Sequence, residues 1–181
     1  MKTNNVIKFI LSIIITELAG VIGALFTTPS IPTWYAGLTK GPLNPPSWIF
    51  GPVWTILYLL MGISLYLVWS RHWKVANQVL SKKRKTWNRW SEQLWRGKLQ
   101  TFNIIGVFAV QYLLNIFWSI IFFGWHQPML AFYALIAMWV AILYTMVNFY
   151  RVSKLAAWLL LPYLLWVSFA GYLNYTIWIL N

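Results

Sequence analysis

The sequence predicts an all-α integral membrane protein: a bundle of five transmembrane helices forming a single domain over 1–181. Three observations carry this reading. Of the 181 residues, 60% are hydrophobic and 9% charged, whereas a soluble domain carries about 25% charged residues. With a mean hydropathy of +0.64, the chain cannot cover its apolar surface with polar groups, so lipid must be its main solvent. Five apolar runs, 7–27, 47–69, 102–123, 129–150 and 155–179, each approach or exceed the roughly 20 residues of helix that a bilayer core of roughly 30 Å requires. Finally, the cations alternate. Thirteen of the fourteen Lys and Arg residues lie in the N-terminus, the 71–100 segment and the Arg151–Lys154 loop, and one, Lys40, lies between the first two runs.

Each run must be helical, because a lipid-exposed strand outside a closed barrel leaves backbone groups unpaired. The charge alternation places the N-terminus and the 71–100 loop on the cytoplasmic, positive side, with the C-terminus and the 28–46 loop opposite. The net charge of +12 is therefore a topology signal, and nucleic acid is not expected as a partner. The chain has no cysteine, which excludes disulfides, thiolate metal ligands and cysteine nucleophiles.

The first run follows Lys2 and Lys8. It resembles a signal peptide in charge, but no small-residue cleavage site follows and its length suffices to span. Glu17, one of two acidic residues in the chain, falls mid-span on the face of Gly20 and Ala24, where small residues permit close helix approach. A structural role for Glu17, hydrogen-bonded to a neighbouring helix, is expected, with a ligand or proton as the alternative.

The second run opens with "NPPSWIFGPVW". Proline is tolerated in a first helical turn, where its missing N–H would be unpaired anyway. Pro45 and Pro46 should therefore end the 28–46 loop and fix the direction in which the second helix starts. Below Phe50, Trp54, Tyr58 and Met61 share one face. The insertion that follows sets Trp87, Trp90 and Leu94 on one helical face among cations, the pattern of a helix lying on an anionic membrane surface.

The third run carries Gln111, Asn115, Trp118, Ser119 and Phe122 at helical spacing. Such a stripe either bonds and stacks a ligand or glues helices together at about 0.6–2 kcal/mol per bond. The fourth run has no acid between Met129 and Tyr150. In the fifth, Tyr163, Trp166, Ala170 and Asn174 share a face just after Pro162, which frees a backbone carbonyl and bends the helix. An interfacial aromatic belt accounts for Trp34, Trp48, Trp69, Trp158 and Trp178 near the run ends. Trp54, Trp118 and Trp166 lie deeper, and inward tryptophans on three helices point to an aromatic-walled cavity.

Three stretches, "TWYAGLTKGPLNPPSWIFGPVWTILYLLMGISLYLVW" (33–69), "LLNIFWSIIFF" (113–123) and "AAWLLLPYLLWVSFAGYLNYTIWILN" (156–181), resemble the translocator protein family, also called the tryptophan-rich sensory or peripheral benzodiazepine receptor family (TspO/MBR). The resemblance covers all five runs and omits only the insertion near 71–100. It implies a five-helix bundle, usually a homodimer, with the first loop folded as a lid over a cavity. The ligands implied are tetrapyrroles such as protoporphyrin and haem, held without a required cofactor or metal. By the same resemblance Trp54, Asn115 and Trp118 contact ligand, and Trp166 is the reactive tryptophan of relatives that degrade protoporphyrin in light.

The ligand-binding set expected is Trp34, Phe50, Trp54, Tyr58, Asn115, Trp118, Ser119, Tyr163, Trp166 and Ala170, with Lys40, Pro45 and Pro46 in the lid. The lid departs from the family pattern at Lys40-Gly41-Pro42-Leu43-Asn44, where a glycine predicts extra mobility. The function expected is a membrane receptor or sensor for porphyrin-type ligands. The alternatives are a light-dependent porphyrin-degrading enzyme, with Trp54 and Trp166 as its catalytic residues, and a transporter of lipophilic molecules. The residues offer such an enzyme no acid–base pair, and His72 and His126 lie in loops on opposite faces.

Overall fold

The structure, a computed structural model, describes residues 3–81 and 104–181. The surface helix expected at Trp87, Trp90 and Leu94 lies outside them. Among the described residues five helices are long and apolar enough to cross a membrane, so the chain is an integral, multi-pass membrane protein.

The first helix, α1, runs over Thr3–Ser30 and continues as a wide π turn, Ile31–Tyr35. This corrects the expected end at residue 27: about the first half of the 28–46 loop is helical. Pro29 and Pro32 have no N–H for the carbonyl four residues back, and the wide turn re-pairs the chain around them. The loop then reaches Pro46, whose extended backbone (φ −55°, ψ 138°) precedes a 3-10 turn at Ser47–Ile49. From there α2 runs over Phe50–Ser81, well past the expected end at Trp69.

The third helix, α3, covers Ile104–Gly124 and also ends in a π turn, Ile120–Gly124. Pro128 starts α4, Pro128–Val152. The last helix, α5, comes in two pieces, Lys154–Leu159 and Leu161–Leu180. The break at Leu160 follows from Pro162, which cannot donate to the carbonyl of Trp158. The chain tightens instead, with the Leu160 N–H on the Ala157 carbonyl at 3.1 Å.

Packing puts α1 against α2 and α4 against α5, with α3 closing the bundle. A Cβ on Gly62 of α2 would lie 2.6 Å from Thr16 Oγ1 and 3.0 Å from the Ile13 Cα, so only glycine permits this approach. Tyr112 on α3 donates to the Ile15 carbonyl of α1 at 2.7 Å, and Ser64 on α2 to the Ala156 carbonyl of α5 at 2.6 Å. Met61, Met138, Ile142, Phe149, Leu160 and Val167 are fully buried. Outward-facing Leu25, Ile56, Val140 and Leu165 are more than half exposed, the surface that lipid covers.

The Gly62 contact yields a paired prediction. Gly62→Ala should destabilise the protein by about 1–3 kcal/mol through overpacking against backbone, read as a lowered melting temperature in detergent. Gly106→Ala, where an added Cβ meets nothing within 4 Å, should be neutral or stabilising by up to ~1 kcal/mol. Equal effects would refute the close approach.

Candidate functional site

Between α1, α2, α3 and α5 lies a cavity of about 500 Å³, within the range of about 300–1,000 Å³ typical of small-molecule sites. Its α1 wall is made of Glu17, Gly20, Val21, Gly23, Ala24, Thr27, Thr28 and Ile31, residues that recur every three or four positions and so share one face. Phe50, Trp54 and Tyr58 of α2 face them, with Trp118, Ser119 and Phe122 of α3 and Ala170 and Asn174 of α5 completing the wall. Tyr35 and the exposed Trp48 flank the mouth.

Aromatic packing sets the wall. Trp54 stacks on Tyr58 (centroids 5.5 Å, 26°) and lies 6.2 Å from Trp118 at 33°, and Trp118 stacks on Phe122 at 5.6 Å. The four rings thus form a continuous π surface. The Trp118 Nε1 donates to Asn174 Oδ1 at 3.1 Å, and Asn174 Nδ2 to the Pro128 carbonyl at 2.7 Å. That indole N–H is therefore committed to the scaffold, and what Trp118 offers the cavity is its face.

Six of the expected ligand-binding residues line the cavity: Phe50, Trp54, Tyr58, Trp118, Ser119 and Ala170. Asn115 and Tyr163 lie behind the wall, each about 1% exposed. Asn115 Oδ1 accepts from the Tyr58 hydroxyl at 2.6 Å, and its Nδ2 donates to the Tyr163 hydroxyl at 3.0 Å. The Tyr163 hydroxyl in turn donates to the Met138 sulfur at 3.4 Å. The amide is thus engaged on both sides by protein, and it positions Tyr58 from beneath.

Trp166 also lies off the wall, packed edge-on against Phe50 at 6.2 Å, and its Nε1 is buried with no partner among the described residues. Trp34 sits at the end of α1, its ring stacked 4.4 Å from His126 and set against Phe122 at 5.4 Å. His126 holds a positive φ of 56°, with Nε2 and the Ser30 hydroxyl 3.2 Å apart. Trp34 and His126 together join the end of α1 to the α3–α4 loop.

The lid is tethered. Asn181 bonds both backbone groups of Thr39, at 2.9 and 3.0 Å. The Tyr35 hydroxyl donates to Asn44 Oδ1 at 2.8 Å. Gly41 keeps an ordinary negative-φ backbone and packs so closely on Thr176 that a Cβ would meet it at 3.1 Å. The glycine expected to loosen the lid thus lies where the lid packs on α5. Lys40 donates to the carbonyls of Ala36 and Leu38 at 3.3 and 3.0 Å and lies 4.7 Å from the Tyr35 ring. Pro45 and Pro46 lead into α2 without lining the cavity, which takes Thr28, Ile31 and Tyr35 from the 28–46 segment and none of 36–46.

The wall residues that were not expected are chiefly those of α1. Their signal was in the sequence: small and polar residues at helical spacing opposite a Leu- and Ile-rich face. That pattern also describes a helix-packing seam, and Gly20 does pack on the Tyr58 ring, a Cβ there falling 2.8 Å from it. Tyr35 became a wall residue through the α1 extension, and Asn174 stands on the stripe it shares with Ala170.

A family model described as the TspO/MBR family matches residues 12–179. The chain belongs to this family. It is similar to the tryptophan-rich protein TspO of Archaeoglobus fulgidus, 37% identical over 98% of this chain and 99% of that one. It is also similar to the human translocator protein, 35% identical over 87% of this chain and 80% of that one. A tryptophan-rich sensory protein of Cereibacter sphaeroides is 28% identical over 78% of this chain and 73% of its own length.

The geometry behind the wall predicts the effect of Asn115→Ala. It strands two buried hydroxyls at about 1–3 kcal/mol each by soluble-protein values, or about 0.6–2 by membrane ones. A clear fall in detergent melting temperature is expected, and an unchanged one would show the amide is not the tie described.

Proposed function

We propose that the protein is a membrane receptor for planar aromatic ligands of the tetrapyrrole type, protoporphyrin and haem among them. The observation that carries the reading is the continuous π surface of Trp54, Tyr58, Trp118 and Phe122 on one side of a cavity of about 500 Å³. A flat macrocycle gains both apolar burial and offset stacking on such a surface. The names of the relatives, a translocator protein and a tryptophan-rich sensory protein, support a receptor role. Of the expected contacts, Trp54 and Trp118 meet the ligand directly, whereas Asn115 acts through Tyr58.

Orientation belongs to the same proposal: the N-terminus and the 71–100 segment face the cytoplasm and the cavity mouth faces the other side, as the distribution of cations favours. The natural lack of cysteine makes the test direct. A single cysteine at Gln127 should react with a membrane-impermeant maleimide from the outer face. One at Ser91 should react only after the membrane is opened, and the reverse pattern would invert the topology.

Ligand binding is tested by titrating protein in detergent with protoporphyrin and following the porphyrin's absorbance. Saturable binding is expected, weakened tenfold or more, about 1.4 kcal/mol, by Trp54→Ala and unchanged by Trp125→Ala, whose ring is 59% exposed in the α3–α4 loop. Linear partitioning shared by all three proteins would reduce the aromatic wall to packing.

A further inference from the structure

Glu17 is the one acidic residue among the described residues, and it lies on the cavity wall. No described residue donates a hydrogen bond or forms an ion pair with its carboxyl. Of the wall hydroxyls, Tyr58 donates to Asn115, Thr27 to the Gly23 carbonyl at 2.9 Å and Thr55 to the Gly51 carbonyl at 3.0 Å. No Lys, Arg or His stands on the wall.

Position sharpens the point. Gly20, nearly one turn beyond Glu17, packs on the Tyr58 ring. Ile31, the last α1 residue of the wall before Tyr35, is fourteen positions on, so roughly 20 Å separates the carboxyl level from the mouth at 1.5 Å per residue. Glu17 thus marks the deep end. At the mouth, Tyr35 holds the Lys40 ammonium 4.7 Å from its ring. Lys40 donates to two backbone carbonyls, and an ammonium has three protons to give. The cavity carries an acid at its floor and a cation at its rim.

From this polarity we infer that Glu17 is the polar anchor of the cavity: it takes a cationic or N–H-bearing end of a planar ligand, and any carboxylates on that ligand face the mouth. The physical reason is that an unpartnered carboxyl in a low-dielectric wall is costly, and a charge-assisted bond from the ligand relieves it. A ligand carboxylate at the same depth would add like-charge repulsion and is excluded. For a tetrapyrrole with acidic side chains on one edge, this fixes the bound orientation, acidic edge toward Lys40. The inference rests on the cavity being a ligand site, as proposed above.

The test uses ring-matched ligands, 9-aminoacridine and acridine-9-carboxylate, beside protoporphyrin. The wild-type protein should bind the amine at least tenfold more tightly than the carboxylate of the same ring, since only the amine can give the carboxyl a charge-assisted hydrogen bond. Glu17→Gln should abolish that preference and Glu17→Asp should keep part of it. Lys40→Ala should weaken protoporphyrin by no more than ~5-fold, the exposed-pair range, and leave the amine unchanged. Saturable amine binding that Glu17→Gln leaves intact overturns the inference. So does a wild-type protein that fails to distinguish the ring-matched pair, a result needing no variant to fold. If protoporphyrin fails to saturate while the amine still depends on Glu17, the tetrapyrrole reading falls and the anchor stands. Absence of saturable binding by every ligand overturns both.

Discussion

The bilayer offers no water to a stranded polar group, and the rest of this bundle is arranged around that constraint. The Asn115 amide shows how it is met. One side chain on α3 accepts from Tyr58 on α2 and donates to Tyr163 on α5, so three helices are registered by a node buried to about 1% exposure. Above it the aromatic wall inherits its geometry: Trp54 stacks on the Tyr58 that Asn115 holds, and lies 6.1 Å from the Tyr163 it also holds. A second node, Trp118–Asn174–Pro128, does the same for α3, α5 and the start of α4. Packing supplies the bulk of the contact, and these nodes select one register from many that equally apolar faces allow.

Much of this was legible in the sequence, for identifiable reasons. Span number and type follow from hydropathy and length, because a helix that must satisfy its own backbone has few alternatives in lipid. The stripe from Gln111 to Phe122 follows from periodicity, which survives folding unchanged. Helix ends were harder. The first run was expected to end at residue 27, yet the π turn carries α1 to Tyr35, since the backbone can re-pair around Pro29 and Pro32 when the neighbouring packing holds it. The roles of wall residues were hardest. Asn115 and Trp118 lie on one stripe, yet only Trp118 faces the cavity while Asn115 is spent on two tyrosines, and spacing alone cannot separate the two. Gly41 was read for its freedom and is used for its smallness, which becomes visible only when Thr176 is placed beside it.

The α1 wall illustrates a related ambiguity. Small residues serve both a seam and a cavity, and here they serve both at once: Gly20 admits the Tyr58 ring, and Gly23 leaves room for Ser119, a Cβ there falling 3.0 Å from its hydroxyl. The acid set among them, otherwise costly in lipid, sits where the seam opens into space.

The bundle's two ends differ in backbone. Around the mouth the helices finish or begin in irregular turns: wide ones at Ile31–Tyr35 and Ile120–Gly124, a tight one at Ser47–Ile49 and left-handed His126 beyond. The opposite end, where Arg71 donates to the final Val152 carbonyl at 2.9 Å, keeps regular helix in α1, α2 and α4. The irregular turns of α1, α2 and α3 thus gather at the mouth, whereas α5 carries its break, at Leu160, toward the other end. Ile31, Tyr35, Phe122 and Phe123 belong to the wide turns and also line the cavity. Under the proposed receptor function an occupant therefore rests against backbone that regular helix hydrogen bonds hold least, and its presence is passed to that face through those turns.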